Sequence, residues 1–227
     1  MDTFEIIWRG VLSAVCAYLL GSISFAIIIT RLFAHKDVRS EGSGNAGMTN
    51  VLRTTGKLPA VLTLVGDFGK AVGAIFLGKF IFSPLTFSGA ETIGMYLAGL
   101  FVVIGHIFPV FFGFKGGKGV LTCAGVFFVL DPPLCTLAIL IFLAVALISG
   151  YVSLGSILGL SSAPISTLIV GLTLRADTLT TASVLWQTLF IFLIAGISVF
   201  MHRGNIKRLL NGTENGFKKH QKNRNKQ

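Results

Sequence analysis

The chain has 227 residues, of which 53% are hydrophobic and only 12% charged, and a mean hydropathy of +0.81, which excludes an ordinary soluble domain of this size. The formal net charge of +10 is unevenly spread, with most Lys and Arg lying between apolar runs or in the C-terminal tail. Cys16, Cys123 and Cys135 sit inside apolar runs with neither CxxC spacing nor nearby histidines; they read as buried apolar fillers rather than zinc ligands.

The N-terminus lacks a basic stretch and its apolar run is too long for a cleaved signal peptide, so the first segment is expected to remain as a span. About 20 apolar residues cross the hydrocarbon, and runs of this kind cover 5–31, 58–82, 92–113, 119–131, 133–150, 152–174 and 180–201. The expected fold is an all-α integral membrane protein with seven transmembrane helices. The fourth and fifth runs are short and separated only by Asp131, Pro132 and Pro133, which leaves open five or six spans with re-entrant pieces. Seven crossings put the 34–57 loop, the 114–118 loop, the 150–153 turn and the C-terminal segment 202–227 on one side, and these segments carry 14 of the 19 Lys and Arg. The positive-inside rule places that side and the C-terminus in the cytoplasm, with the N-terminus outside. The membrane domain is expected over 1–214, followed by a basic, disordered tail over 215–227 that is drawn to anionic membrane lipid.

The 34–57 loop holds Gly42, Ser43, Gly44, Asn45, Gly47, Thr49, Asn50 and Arg53. Glycines let a backbone aim several N–H groups at one point, as phosphate cradles do. Ser43, Asn45, Thr49 and Asn50 add short polar groups, and Arg53 adds a guanidinium suited to phosphate oxygens. No Lys-Ser or Lys-Thr follows the last glycine, so this is not a Walker A loop; a flexible linker has the same glycine content. In the second run, Asp67 and Lys70 stand three residues apart. Ions inside a membrane are costly and usually functional, but an internal pair that neutralises both charges explains them equally well.

A second basic loop on the same side runs from Gly105 and His106 through Lys115, Gly116, Gly117 and Lys118 to Gly119. The positive-inside rule accounts for lysines at a span end but not for the glycines beside them, and two such loops on one face point to an anion site. His106, next to a proline-bent span end, is expected to be packed and hydrogen-bonded rather than a general base. The last span closes on His202, Arg203, Gly204 and Asn205; in a helix, His202 and Asn205 share a face. Lys207, Arg208 and Glu214 look like surface charge.

Together, these residues resemble the bacterial acyl-phosphate:glycerol-3-phosphate acyltransferases, the PlsY family. The likeness rests on Gly42 to Gly47 with Thr49, Asn50 and Arg53, on Gly105-His106 with Phe114 to Val120, and on His202 with Asn205, Arg208, Leu209, Gly212 and Glu214. Met48 and Leu121 are the two unusual positions. The resemblance implies acyl transfer from acyl phosphate to the 1-hydroxyl of glycerol 3-phosphate, giving lysophosphatidic acid and phosphate for phospholipid biosynthesis. It further implies a bacterial cytoplasmic (inner) membrane location, a site facing the cytoplasm, no cofactor or metal, and no nucleic-acid partner.

Two phosphorylated reactants bring together up to about four negative charges, which Arg53, Lys115, Lys118 and the loop amides are suited to offset. There is no Ser-His-Asp order, activated cysteine or His-x4-Asp motif, so direct attack on the donor is the simpler chemistry, with the donor's own phosphate taking the proton. Ser43, Arg53, Lys115, His202 and Asn205 are then the catalytic candidates. The phosphate-binding candidates are Gly42, Gly44, Asn45, Gly47, Thr49, Asn50, Gly116, Gly117 and Lys118; the resemblance adds Ser153, although capping the sixth span is an alternative role for it. The competing class is a transporter of a phosphorylated organic anion, which would want polar positions at mid-membrane in several spans rather than at one face.

Overall fold

The computed structural model describes residues 3–216. Met1, Asp2 and 217–227 lie outside the described residues, and with them nearly all of the tail expected from 215. Every regular element among the described residues is helical. Contacts group into two compact units, one ending at Leu130 and the other beginning at Asp131.

The first unit contains α1 (Thr3–Gly21), α2 (Phe25–Ala34), α3 (Met48–Thr54), α4 (Lys57–Phe82), α5 (Ala90–Ile107) and α6 (Val120–Leu130). Helix α4 packs on α5, α1 on both, and α6 on α4. Lipid is as apolar as leucine, so membrane helices associate through close backbone approach at small residues. Gly78 on α4 and Gly94 on α5 meet in this way: a Cβ on either would strike the other's carbonyl. Gly21 and Gly105 do the same for α1 and α5, against the carbonyls of Val102 and Tyr18.

The first apolar run, read as a single span, is broken between α1 and α2 at Ser22–Ser24. A break at membrane depth frees carbonyls that lipid cannot satisfy. Lys70 supplies the donors: its Nζ lies 3.0 Å from the Gly21 carbonyl oxygen and 2.7 Å from that of Ile23. Asp67 Oδ1 pairs with the same ammonium at 2.9 Å, and His106 Nδ1 lies 3.0 Å away. The charged pair in the second run is thus a buried device that caps the break, and His106 is packed and hydrogen-bonded as expected.

The second unit contains α7 (Pro132–Ser149), α8 (Val152–Thr173), α9 (Thr181–Phe200) and α10 (Arg203–Leu210). The Asp131-Pro132-Pro133 sequence is a helix start: Asp131 accepts from the Leu134 amide, and the prolines occupy the first turn, where no N–H is needed. Arg175 makes a two-point ion pair with the same aspartate. Gly155 and Gly159 bring α8 against α7 carbonyls, and Gly171 brings it against Val184 of α9.

Among the described residues, six apolar helical segments are long enough to cross a bilayer: Thr3–Ala34, Lys57–Phe82, Ala90–Phe112, Pro132–Ser149, Val152–Thr173 and Thr181–Phe200. The remaining run of the seven, α6, is helical over only 11 residues. That is about 16 Å at 1.5 Å per residue, roughly half of the hydrocarbon thickness.

Candidate active site

The first glycine loop follows α2 through a single 3₁₀ turn, Val38–Ser40, and ends in α3. Its apolar underside, Val38, Ala46 and Val51, is buried with Ala26, Ile27 and Ala60, while Met48 and Phe112 pack against the same cluster. The glycine tip is therefore held at the surface over a solid base. Gly42 and Gly44 both have positive φ, +58° and +70°, which L side chains adopt only at a cost. At the tip, Gly44 N–H donates to the Glu41 carbonyl at 3.0 Å, and Ser43 is exposed.

Asn50, expected as a phosphate ligand, is instead buried inside the loop and braces it. Its Nδ2 donates to the carbonyls of Val38 and Glu41, both at 2.9 Å, and its Oδ1 accepts from Ser43 N–H at 2.9 Å. Both of its amide hydrogens and its oxygen are thereby engaged with backbone. Asn45 and Thr49 are half-buried, and Arg53 is exposed on α3, one turn beyond Thr49.

The second loop leaves α5 at Pro109 and returns to its own base. Gly116 N–H donates to the Ile107 carbonyl at 3.1 Å and Gly117 N–H to the His106 carbonyl at 3.2 Å. A Cβ on Gly117 would strike His106 Nε2 and the Ala46 carbonyl, so the glycine lets this loop lie against the first one. Lys115 is exposed and Lys118 half-buried. An open cavity of about 650 Å³ is lined by Gly44, Lys115 and Gly116 together with Asp37 and Arg39. Hydrogen bonds from Arg39 hold the Asp37 carboxyl far below the usual carboxylate range, outweighing the opposing effect of burial. The Asp37–Arg39 pair had no assigned role from sequence, because nothing local shows what an arginine in a loop will reach.

In the second unit, the carboxylate of Glu214 gathers three side chains. Its Oε1 accepts from Asn205 Nδ2 at 2.6 Å and from Ser153 Oγ at 2.8 Å, and its Oε2 from Arg208 Nε at 2.7 Å. Glu214 is only 5% exposed, which overturns its reading as surface charge. Burial alone would raise its pKa, but the hydrogen bonds from Asn205, Ser153 and Arg208 reverse that, leaving it below the usual range. The readable signal was Gly212. It has φ +66°, its N–H bonds the Leu209 carbonyl, and the next N–H bonds the Arg208 carbonyl. This Schellman turn reverses the chain and lays Glu214 back on α10.

His202, the residue that opens α10, is buried, and its Nδ1 lies 2.8 Å from the Ser198 carbonyl oxygen. A carbonyl only accepts, so Nδ1 carries a proton. Of the expected residues, Gly44, Lys115 and Gly116 thus share one cavity in the first unit, and Ser153 and Asn205 share one carboxylate in the second.

Bundled apolar helices with glycine-rich, cationic span-end loops define a multi-span membrane protein built to handle anions. The glycerol-3-phosphate acyltransferase family profile matches residues 11–212. A Clostridioides difficile glycerol-3-phosphate acyltransferase is 40% identical over 209 residues, covering 92% of this chain and 95% of its own. One from Nitrosomonas eutropha is 42% identical over 198 residues, covering 87% and 92% respectively. Among solved structures, the integral membrane glycerol 3-phosphate acyltransferase PlsY in its glycerol 3-phosphate form is 36% identical with a TM-score of 0.77, over 92% of this chain and 95% of that one. Its lysophosphatidic acid form is 35% identical with a TM-score of 0.75. The chain belongs to the glycerol-3-phosphate acyltransferase family and is a membrane acyltransferase.

Proposed function

We propose that this acyltransferase moves a fatty acyl group from acyl phosphate to the 1-hydroxyl of glycerol 3-phosphate, yielding lysophosphatidic acid and inorganic phosphate for phospholipid synthesis. The observation that carries this reading is the cavity whose lining brings Gly44 of the first loop together with Lys115 and Gly116 of the second. The two forms of the PlsY relative support it as well, since lysophosphatidic acid is glycerol 3-phosphate bearing one acyl group.

In this mechanism the 1-hydroxyl oxygen attacks the acyl carbonyl carbon, the bond from that carbon to the phosphate oxygen breaks, and the departing phosphate takes the hydroxyl proton. Acyl phosphate already carries a good leaving group, so no acyl-enzyme forms. Arg53 and Lys115 stabilise the charge that develops, Ser43 orients the donor, and His202 with Asn205 positions glycerol 3-phosphate. Gly42, Asn45, Thr49, Lys118 and Ser153 hold phosphate oxygens, while Gly44, Gly47, Gly116 and Gly117, whose N–H groups bond backbone carbonyls, shape the two loops and Asn50 braces the first. Much of the rate then comes from positioning.

The chain crosses a bacterial cytoplasmic membrane seven times, with α6 as a short crossing, the N-terminus outside and the site facing the cytoplasm; the basic charge of the 34–57 and 114–118 segments supports this orientation. The test is to supply the purified protein with glycerol 3-phosphate and either acyl phosphate or acyl-coenzyme A, and to measure lysophosphatidic acid. Product is expected from acyl phosphate only. Lys115→Ala and Arg53→Ala should each reduce turnover by about 100-fold or more in folded protein. Near-normal rates in both variants, or a trapped acyl ester on Ser43, would overturn the assignment.

A further inference from the structure

Lys115 sits at the apex of a loop that its own backbone ties only at the base. Phe114 N–H returns to the Pro109 carbonyl, and Gly116 and Gly117 return to Ile107 and His106. Just before Lys115 the chain passes through two left-handed residues, Gly113 at φ +66° and Phe114 at φ +58°. The second has a side chain and adopts this conformation against its steric preference.

A further hold, from outside the loop, comes from Arg39, 73 to 76 residues earlier in the chain. Its Nη1 donates to the Phe112 carbonyl at 2.7 Å and to the Lys115 carbonyl at 3.2 Å, spanning the apex. Its Nε and Nη2 donate to the two carboxylate oxygens of Asp37 at 3.0 and 2.8 Å. Four of the five guanidinium N–H donors are therefore engaged with protein acceptors. Asp37 is fixed in turn by the Arg39 backbone N–H and by Arg31, both at 3.0 Å. The Arg39 backbone also lies under the Gly44 turn, where a Cβ on Gly44 would stand 3.4 Å from its carbonyl oxygen.

We infer that Arg39, locked by Asp37, is a positioning residue that sets the distance between the Gly44 turn and Lys115 and acts on turnover through Lys115 rather than by binding substrate. This rests on the proposed catalytic role of Lys115. A lysine at position 39 would keep the charge, but a single ammonium cannot reach two carbonyls and both carboxylate oxygens at once.

The experiment compares Arg39→Lys, Arg39→Ala and Asp37→Asn with wild type, and uses Lys36→Ala as a control that removes the same charge from the same loop. Thermal unfolding in detergent is followed alongside kinetics. Arg39→Lys should lower kcat by about 10- to 100-fold, as sub-ångström to ångström misplacement of a catalytic group does, with KM for either substrate changed by less than about twofold. Asp37→Asn should move in the same direction, Lys36→Ala should match wild type, and guanidinium ions should restore part of the Arg39→Ala rate. Amide hydrogen exchange should quicken at 113–115 in Arg39→Lys.

A kcat in Arg39→Lys within twofold of wild type would overturn the inference, as would a raised KM with unchanged kcat, the signature of a substrate ligand. If Arg39→Ala fails to fold, Arg39→Lys alone decides. If wild type makes no lysophosphatidic acid from acyl phosphate, the proposed function falls, and the exchange measurement still judges the clamp: unchanged exchange at 113–115 overturns it.

Discussion

Asn50 and Glu214 each hold a segment of the candidate site together, and they do it by opposite chemistry. Asn50 is neutral and reaches only backbone, tying the Val38 and Glu41 carbonyls to the Ser43 amide. Glu214 is charged and reaches only side chains, those of Asn205, Ser153 and Arg208. The first arrangement fixes the path of a loop whatever side chains it carries. The second fixes the orientation of particular side chains, two of which are proposed to meet substrate, and it depends on the carboxylate staying ionised.

The largest effect is expected at Asn50. Asn50→Ala removes three hydrogen bonds and leaves buried backbone partners unsatisfied, a cost of about 2–3 kcal/mol once the loop relaxes toward water. A fall in thermal midpoint together with a severe loss of turnover is the expected outcome, and a variant as stable as wild type would show that the brace is dispensable. A smaller effect belongs to Glu214→Gln, about 1–2 kcal/mol, because shape is kept while the charge-assisted contacts weaken.

That variant also tests the contrast through pH. Glu214 is held below its ordinary range in the folded protein, so its contribution is complete above the unfolded-state value and fades as pH falls through the folded one. Wild type should therefore lose stability in acid more steeply than Glu214→Gln in paired unfolding curves, whereas Asn50→Ala should run parallel to wild type. Equal acid slopes in wild type and Glu214→Gln would remove the ionised-carboxylate account. The smallest effect is expected for Arg208→Ala, since its side chain is 44% exposed and such pairs contribute about 1 kcal/mol or less.

Much of the architecture was legible from local pattern. Apolar runs of span length and glycines beside cations carry their meaning within a few residues of sequence. The family likeness, drawn from three short motifs, was borne out by the match over 11–212. The break at Ser22–Ser24 was not legible, because it is tolerated only when Lys70, some 47 to 49 residues away, supplies donors to the freed carbonyls. Sequence pattern alone makes Asn50 a ligand candidate and Glu214 surface charge, since a polar side chain in a loop reveals its type but not its partner.

The amino-acid sequence alone determined that the chain is a helical membrane protein with anion-suited loops, because burial of apolar runs and the cost of bare backbone in lipid are properties of each segment by itself. Only the tertiary structure decided which polar groups are scaffold and which are left to face a ligand. That division depends on hydrogen bonds between residues such as Arg39 and Lys115, or Ser153 and Glu214, which lie 76 and 61 positions apart and have no signature until the chain brings them together.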